Sequence, residues 1–454
     1  MGKISNAPHV SRTTAFFDAK HMVQNPVAVF EKYRAELGPT FTFHFGGARR
    51  AVVSTEPEFI QHVLKTNQAN YVKSHIQTKH MVEFQGVGLV NSHGAEWLRR
   101  RKLVAKGFSP GRMADMLPLQ LEVLEGLLPA FEARAAEGPV DVYEPMVKFT
   151  LGMVGRSIFG RAATDAELQQ IADAISEIQG YIVEMIVQPY LIPWFRISGK
   201  ARRYQRIRQA ADALVLRHIQ ARRAAGGAEA DVLELLLTEP FHDTQQPLTE
   251  EQALIEALQL MVAGNETSSI ALTWLLYLLA RHPEHVARIQ AEVDAHVGEG
   301  PITAQGLKAL EHTVRCLHEA LRLYPPFWMI DRIALADDEA AGVTIPKGAM
   351  VIPYIYGAHR NTAYWDDPER FDPDRFQKQA VRARHVFAHV PFGGGPRLCV
   401  GNGMALSQIS LIVATLLRRY DLRYERDEPV GIRPMMLLRP DGEVPVRFVP
   451  RGQG

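Results

Sequence analysis

Residues 391–403 read PFGGGPRLCVGNG. Three consecutive glycines followed by a proline are unfavourable in a helix interior or a central strand, so this stretch predicts a tight, irregular loop. Residues 404–417 read MALSQISLIVATLL, which predicts a buried helix. We therefore expect Cys399 at the entrance to a helix, where backbone N–H groups and the helix dipole favour a thiolate. A thiolate is the ligand that a soft or borderline metal requires.

Cys316 and Cys399 are the two cysteines of the 454-residue chain. Two are too few for a disulfide framework at this length, and they suit a reducing compartment. Cys316 is interpreted as an inert, buried thiol. A zinc site at Cys399 would need three further ligands, and no nearby pair of cysteines or histidines has that spacing. A cysteine protease would need a histidine base, and none is identifiable by motif.

The composition is that of an ordinary globular protein, with 46% hydrophobic and 22% charged residues. The net charge of +1 gives no indication of nucleic acid or of a membrane surface as a partner. Charged residues interrupt the first 22 positions, so no signal peptide is predicted there. The longest apolar run, near residues 270–280, is about half the length of a membrane-spanning helix. The sequence thus predicts a cytoplasmic protein without a membrane anchor.

Helical patterns dominate residues 95–324, which are rich in Ala, Leu, Glu, Arg and Gln. Strand patterns occur nearer the two ends, at residues 40–45, 50–54, 342–347, 350–354 and 445–449. The sequence predicts a mainly α fold with a small β-rich region, built from about 26–62 and 325–360. We expect one domain over residues 1–454.

Phe392, Gly395, Arg397, Cys399 and Gly401 fit the signature Phe-x-x-Gly-x-Arg-x-Cys-x-Gly without a departure. In this the chain resembles the cytochrome P450 family, and the resemblance extends over essentially the whole sequence. It implies the P450 fold, with haem b between a long central helix and the cysteine loop. It also implies that Cys399 is the axial ligand of the haem iron. Phe392 and Gly401 would lie beside the haem, and Arg397 would bind a propionate.

Residues 319–322 read EALR within the predicted helix 313–323, and residues 371–376 read FDPDRF. Both are similar to family elements. The resemblance implies a buried triad of Glu319, Arg322 and Arg375 that holds the haem-binding loop and takes no part in the chemistry.

The predicted buried helix 253–280 contains residues 263–268, AGNETS. A glycine and an acid–hydroxyl pair are poor choices in an apolar helix, which indicates a purpose other than helix stability. The segment resembles the oxygen-activation motif of the family. The resemblance implies that Gly264 leaves room for dioxygen, and that Thr267 and Glu266 deliver protons to it.

Trp97 and Arg101 lie four residues apart in a predicted helix over 96–107, so they share one face. They resemble the Trp-x-x-x-Arg element of the family, which implies contacts with a haem propionate. Arg332 is expected to bind a propionate as well.

Substrate contacts follow from family position alone. The expected pocket is apolar, aromatic and rich in Met, which suits a lipophilic substrate such as a fatty acid, a terpenoid or a steroid. Its expected walls are Ile76, residues 84–90 with Phe84 and Leu89, residues 182–186, Leu260, Ala263, residues 327–330 with Phe327 and Met329, and residues 435–437 with Met436.

Nothing in the sequence resembles a flavin- or nucleotide-binding module, so electrons are expected from a separate ferredoxin or flavodoxin. Arg99, Arg100, Lys102 and Lys106 form the expected docking patch for such an acidic protein.

The predicted activity is insertion of one oxygen atom of O₂ into a lipophilic substrate. One alternative is a haem-thiolate enzyme without that chemistry, either a peroxygenase or an isomerase or dehydratase. Another is a haem-binding sensor or carrier, which would need no proton relay.

Overall fold

The computed structural model describes Ile4 and residues 6–45, 49–75, 78–79, 81–226 and 231–452. Its α-helices are α1 (Arg12–Phe17), α2 (Ala19–Gln24), α3 (Pro26–Leu37), α4 (Pro57–Gln61), α5 (Met81–Gln85), α6 (Gly94–Gly107), α7 (Pro110–Glu137), α8 (Tyr143–Phe159), α9 (Asp165–Val187), α10 (Ile192–Ile197), α11 (Lys200–Ala225), α12 (Val232–Thr238), α13 (Glu250–Arg281), α14 (Pro283–His296), α15 (Ala304–Ala309), α16 (Glu311–Leu323), α17 (Ile355–Ala358), α18 (Lys378–Ala383) and α19 (Asn402–Leu417).

Its strands are β1 (Thr40–Phe45), β2 (Arg49–Ser54), β3 (Tyr71–Val72), β4 (Val140–Asp141), β5 (Arg332–Ala334), β6 (Asp338–Ala340), β7 (Val343–Ile345), β8 (Met350–Pro353), β9 (Tyr420–Arg423), β10 (Gly431–Pro434), β11 (Leu438–Asp441) and β12 (Pro445–Pro450). The predicted mainly α class with a small β-rich part is confirmed.

The chain divides into two compact units, each built from three stretches of sequence. The first unit comprises Met1–Ser74, Arg315–Cys399 and Val430–Gly442. The second comprises His75–Val314, Val400–Pro429 and Glu443–Gly454. The expectation of a single domain over the whole chain stays a prediction.

The first unit is organised around a five-stranded sheet of order β1-β2-β8-β5-β3. The strands predicted at 40–45 and 50–54 are present as β1 and β2, which form an antiparallel hairpin with Phe43 opposite Ala51. β8 pairs parallel to β2, and Val52 lies opposite Val351. Phe30 of α3 packs edge-to-face against Phe43 at 5.3 Å, which helps to fix this helix on the sheet.

The second unit is mostly helical, and its 32-residue helix α13 packs against α8, α11 and α12. A capping box starts this helix, because Thr249 Oγ1 accepts the N–H of Gln252 and the Gln252 side chain accepts the N–H of Thr249. Residues 268–280 are all buried, whereas residues 262–267 are partly open. This unit also contains the small sheet β4-β12-β9.

Within the described part of the chain, no helix combines the length and the apolar character that crossing a membrane would require.

Candidate active site

The glycine-rich loop before Cys399 has a backbone that only glycine adopts easily. Gly393 has φ +74° and Gly395 has φ +66°, both in the left-handed region. A Cβ atom on Gly395 would lie 2.1 Å from the carbonyl oxygen of Leu64, so a side chain there would collide with backbone. The predicted tight loop is present, and its glycines allow its backbone to contact the segment around Leu64.

Backbone hydrogen bonds close this loop at both ends. The N–H of Gly393 donates to the carbonyl of Val390 at 3.0 Å, and the N–H of Cys399 donates to the carbonyl of Phe392 at 3.0 Å. Helix α19 begins at Asn402, three residues after Cys399 and two residues earlier than predicted. Cys399 is exposed and Cys316 is buried, so a ligand can reach the first thiol and not the second.

A buried ion network lies in the same unit as the loop. Glu319 and Arg322 are both 0% exposed, and the carboxylate accepts two guanidinium N–H bonds at 2.7 and 2.8 Å. Arg375 Nε lies 3.5 Å from the same carboxylate, and the N–H of Asp372 donates to it at 2.9 Å. The structure thus places the three predicted triad residues together, in the paired state that burial of charge demands.

His359 connects this network to the cysteine loop, and sequence reasoning missed it. Its Nδ1 lies 3.2 Å from the carbonyl oxygen of Arg322, and its Nε2 accepts the N–H of Val390 at 3.0 Å. Only the neutral tautomer with a proton on Nδ1 makes both hydrogen bonds. Burial, with a contribution from the charge of Arg322, lowers the pKa of His359 to about 3. A histidine in a loop carries no motif that would have identified this role.

Three cations lie close together in the first unit, and one of them was not predicted. Burial, together with the charges of Arg332 and Arg397, lowers the pKa of Lys73 to about 7, against the opposing charge of Asp331. Burial and the charge of Arg332 lower the pKa of Arg397 to about 10. Such a cluster favours a ligand with more than one negative charge. The sequence around Lys73, YVKSH, looks like any surface segment.

The partly open stretch of α13 carries the predicted acid–hydroxyl pair. Thr267 Oγ1 donates to the carbonyl oxygen of Ala263, one turn earlier, at 2.6 Å. Ala263 is exposed, and Glu266 and Thr267 are partly buried. Ala263 and Thr267 therefore share the face of α13 that is open along this stretch.

Gly264 lies where α13 packs against α8. A Cβ atom there would lie 3.1 Å from Val154 of α8, so glycine allows the two helices to approach closely. Next to it, Asn265 Oδ1 accepts the hydroxyl of Thr150 at 2.8 Å, which also holds α13 on α8. The expected role of Gly264 in making room for dioxygen stays a prediction.

Arg100 on α6 corrects the predicted docking patch. It is 4% exposed, and it donates to Glu256 of α13 and to Glu96 at 2.5 Å each. The prediction that Arg100 lies on an exposed patch is therefore wrong, because a buried carboxylate draws it inward. Trp97 is buried on this helix and Arg101 is half-buried, so Arg100 is the more buried of the two arginines.

The remaining cations of that patch have neighbours of their own. Arg99 pairs with Glu96, and its guanidinium lies 4.7 Å from the ring centre of Phe241. Lys106 pairs with Glu239 at 2.6 Å. Lys102 is exposed and lies 3.1 Å from a ring nitrogen of His242.

Comparison with known proteins gives the family of the chain. The profile of the family described as Cytochrome P450 matches residues 8–447. The chain belongs to the cytochrome P450 family. This P450 is 31% identical over 443 residues to cytochrome P450 734A5 of Oryza sativa subsp. japonica, covering 93% of this chain and 81% of that protein.

Two further matches extend the comparison to a bacterial enzyme and to a crystal structure. This P450 is 28% identical to cyclooctat-9-en-7-ol 5-monooxygenase of Streptomyces melanosporofaciens, covering 83% of this chain and 81% of that protein. The crystal structure of the cytochrome P450DA haem domain matches with a TM-score of 0.86 and 25% identity, over 99% of each chain. This P450 is thus an oxidoreductase that incorporates oxygen.

Haem iron is the cofactor that membership of the family implies, and the first unit fits it chemically. Cys399 offers an accessible thiol on a rigid turn. Lys73, Arg332 and Arg397 suit the two propionates of a haem, because an anion beside them would relieve their mutual repulsion.

The expected pocket residues of this P450 occur in both units, and their burial and contacts are described for each unit separately. In the second unit, Phe84 is buried edge-to-face against Tyr181 at 5.3 Å, and Leu89 and Leu260 are buried.

In the first unit, Phe327 is 49% exposed, and Met329 and Met436 are partly buried. The indole N–H of Trp328 donates to the carbonyl of Met435 at 2.9 Å, which joins these two segments. Ile76 lies outside the described residues.

Proposed function

We propose that this P450 inserts one oxygen atom of O₂ into a lipophilic molecule, with haem b as its cofactor. The observation that carries the proposal is the exposed Cys399 thiol. It lies on a turn in which a side chain at Gly395 would collide with the backbone of Leu64. A turn fixed in this way holds a metal ligand in place without rearrangement on binding.

Haem b would be held by residues of several elements. Cys399 would ligate the iron, with Phe392 and Gly401 beside the ring. Arg332, Arg397 and the additional Lys73 would bind propionates, and Trp97 and Arg101 of α6 are proposed to do so as well. When bound, the haem supplies the redox centre at which O₂ is activated.

Proton delivery is assigned to the open stretch of α13. Glu266 would take protons from solvent, and the Thr267 hydroxyl would pass them to the reacting oxygen. In the structure this hydroxyl donates its hydrogen to the Ala263 carbonyl, so it would turn away from that carbonyl to donate to the reacting oxygen, and its lone pairs would accept the replacement proton from Glu266. This relay argues against the alternatives that need no protons, namely the isomerase or dehydratase and the haem sensor or carrier.

The proposed substrate class is a fatty acid, a terpenoid or a steroid-like molecule. The expected walls are apolar, aromatic and rich in Met, and they carry few groups that could bind a charged substrate. One relative is named for hydroxylation of taurochenodeoxycholic acid and another for oxidation of cyclooctat-9-en-7-ol, and both names denote molecules with a large hydrocarbon skeleton.

Electrons are proposed to come from a ferredoxin or flavodoxin with an acidic surface. Of the predicted patch, Arg99, Lys102 and Lys106 remain available to such a partner, and Arg100 is excluded by burial. Lys102 is the strongest candidate, because Glu96 and Glu239 partly neutralise the charges of the other two.

The spectrum of the reduced carbonyl complex tests the proposal. The wild-type protein is expected to show the far red-shifted Soret band of thiolate ligation, and Cys399→Ala is expected to lose it. Cys316→Ala is the matched control and should retain the band, because that thiol is buried away from solvent. A band that survives in Cys399→Ala would refute the proposed ligand.

The source of oxidising equivalents is tested separately. Turnover with O₂, reductant and a ferredoxin or flavodoxin is expected. Turnover with hydrogen peroxide alone, and none with O₂ and the electron donor, would identify a peroxygenase.

A further inference from the structure

The segment Gly86–Asn91 connects α5 to α6, and side chains of α13 hold its backbone. Gln259 Oε1 accepts the N–H of Val90 at 3.0 Å, and Gln259 Nε2 donates to the carbonyl of Gly86 at 3.3 Å. Glu256 Oε2 accepts the N–H of Leu89 at 3.1 Å. Two neighbouring positions of one helix therefore make three hydrogen bonds to a segment some 170 residues earlier.

The segment also contacts α13 too closely for side chains at two of its positions. A Cβ atom on Gly88 would lie 2.6 Å from Gln259 Oε1, and one on Gly86 would lie 2.6 Å from Ile255 Cδ1. Gly86 has φ +68°, which again favours glycine. The segment is thus built for direct contact of its backbone with the helix.

A buried charge network supports this attachment from the other side. Glu256 is 0% exposed, and its second carboxylate oxygen accepts the Arg100 guanidinium, which also pairs with Glu96. Burial raises the pKa of Glu256, and the charge of Arg100 opposes that shift. An ionised Glu256 is a stronger acceptor for the N–H of Leu89 than a neutral group would be.

We propose that Glu256 and Gln259 are positioning residues that fix Gly86–Asn91 on α13 and thereby determine which substrates the enzyme accepts. The inference rests on the proposed function for its second half, because Phe84 and Leu89, at and beside this segment, are proposed pocket walls. Its first half, the attachment of Gly86–Asn91 to α13, does not depend on the proposed function. Glu256 and Gln259 hold the backbone of the substrate wall and need not touch the substrate. They would therefore affect substrate specificity through the position of the segment.

Hydrogen exchange of the backbone tests the attachment. In Gln259→Met, which keeps the length and loses both hydrogen bonds, amide exchange in Gly86–Asn91 is expected to be at least roughly tenfold faster than in the wild type. Gln290→Met is the matched control, because this buried glutamine binds the Tyr420 carbonyl and Asp421 elsewhere in the same unit. In Gln290→Met, the amides of Gly86–Asn91 should exchange at the wild-type rate. Unchanged exchange in Gln259→Met would overturn the proposal.

If Gln259→Met does not fold, Gln259→Asn provides the same test, since its amide is one methylene too short to reach Val90. Specificity is read from the ratio of the affinities for imidazole and 4-phenylimidazole, measured by the Soret shift. We expect this ratio to change several-fold in Gln259→Met and to stay constant in Gln290→Met. Faster exchange with a constant ratio would overturn the role in specificity.

The two proposals fail in different ways. A reduced carbonyl complex without the red-shifted band would refute the haem-thiolate function, and the exchange result would still decide whether the segment is attached. A normal carbonyl spectrum with unchanged exchange would refute the attachment and leave the proposed function intact.

Discussion

Thr267 and Thr273 make the same local hydrogen bond in α13, and only the first lies in the open stretch. Each hydroxyl donates to the carbonyl four residues earlier, at 2.6 Å for Thr267 and 2.8 Å for Thr273, and Thr273 is fully buried. Comparison of substitutions at Thr267 and Thr273 therefore distinguishes a role of the hydroxyl in catalysis from a role in helix geometry.

We expect Thr267→Ala to divert electrons into hydrogen peroxide, because its hydroxyl is proposed to deliver protons to the reacting oxygen. Product formed per electron pair should fall by roughly tenfold or more, which is within the range for loss of a proton-transfer group. Product, peroxide and consumed reductant are measured together. Thr273→Ala is the control and should keep the coupling of the wild type. Equal coupling in both variants would contradict the assignment.

Among single residues, the sequence predicts those that lie in motifs and misses those whose role depends on burial. Cys399, Glu319 and Arg322 are predicted as site residues because each lies in a local pattern. Lys73 and His359 lie in no pattern, and distant segments supply the groups that shift their pKa values.

Arg100 shows the reverse error. Its neighbours in sequence suggest a solvated basic face, and a carboxylate 156 residues away draws it into the interior.

Among the elements, the loop between α18 and α19 shows most clearly how sequence fixes conformation. Its glycines predicted an irregular turn, and the structure adds the reason for Gly395, which is contact with the backbone at Leu64. A sequence cannot supply that reason, because the contact joins segments more than 300 residues apart.

We expect Gly395→Ala to lower the free energy of unfolding by about 2 kcal/mol or more, since it adds left-handed strain and a collision with a carbonyl oxygen. The variant should also retain less haem. Gly126→Ala is the control, because this glycine lies inside α7 with open space around it. There alanine should stabilise the helix by up to about 1 kcal/mol. Equal unfolding midpoints for the two variants in denaturant would contradict this account.

Helix positions were predicted well where apolar periodicity is long, and their ends less well. α13 was expected over 253–280 and extends over Glu250–Arg281, because the capping box at Thr249 starts it earlier than the apolar pattern does. The hydrogen bonds of Glu256 and Gln259 to a distant segment could not be predicted, since both appear in the sequence as ordinary polar positions.

For the molecule as a whole, a cluster of three histidines, with His359 buried and His318 and His389 partly buried, makes stability depend on pH. Burial lowers the pKa of His318 to about 4, that of His359 to about 3, and that of His389 well below its usual value. In the unfolded chain these groups take up protons near pH 6.5. The unfolded state therefore binds more protons below that pH, so stability is complete above about pH 6.5 and falls as the pH decreases toward 4.

We expect His318→Gln to flatten this pH dependence by up to one proton, because the residue that titrates on unfolding is removed. The free energy of unfolding is measured by denaturant titration between pH 7.5 and 5 at constant ionic strength. The control is His93→Gln, which makes the same replacement at an exposed histidine. A slope unaltered in His318→Gln would show that His318 takes up a proton as readily in the folded state as in the unfolded state.

Docking of an electron donor would involve the exposed surface of α6 around Lys102. Lys102→Glu is expected to slow electron transfer from a reduced acidic ferredoxin several-fold at low ionic strength, with a smaller effect as salt is added. Lys308→Glu makes the same change of charge at an exposed site on α15. An equal effect of the two substitutions would indicate a general influence of net charge and no local docking patch.

The parallel pairing of β2 with β8 has a consequence for synthesis of the chain. Val52 lies opposite Val351, so the ribosome must add about 300 residues before the hairpin of β1 and β2 meets its next strand. At typical translation rates of about 5–20 residues per second, this takes roughly 15–60 s. During that interval the nascent chain carries an unpaired edge with the sequence AVV at residues 51–53. We therefore expect the recovered yield to respond to chaperones that cover this edge.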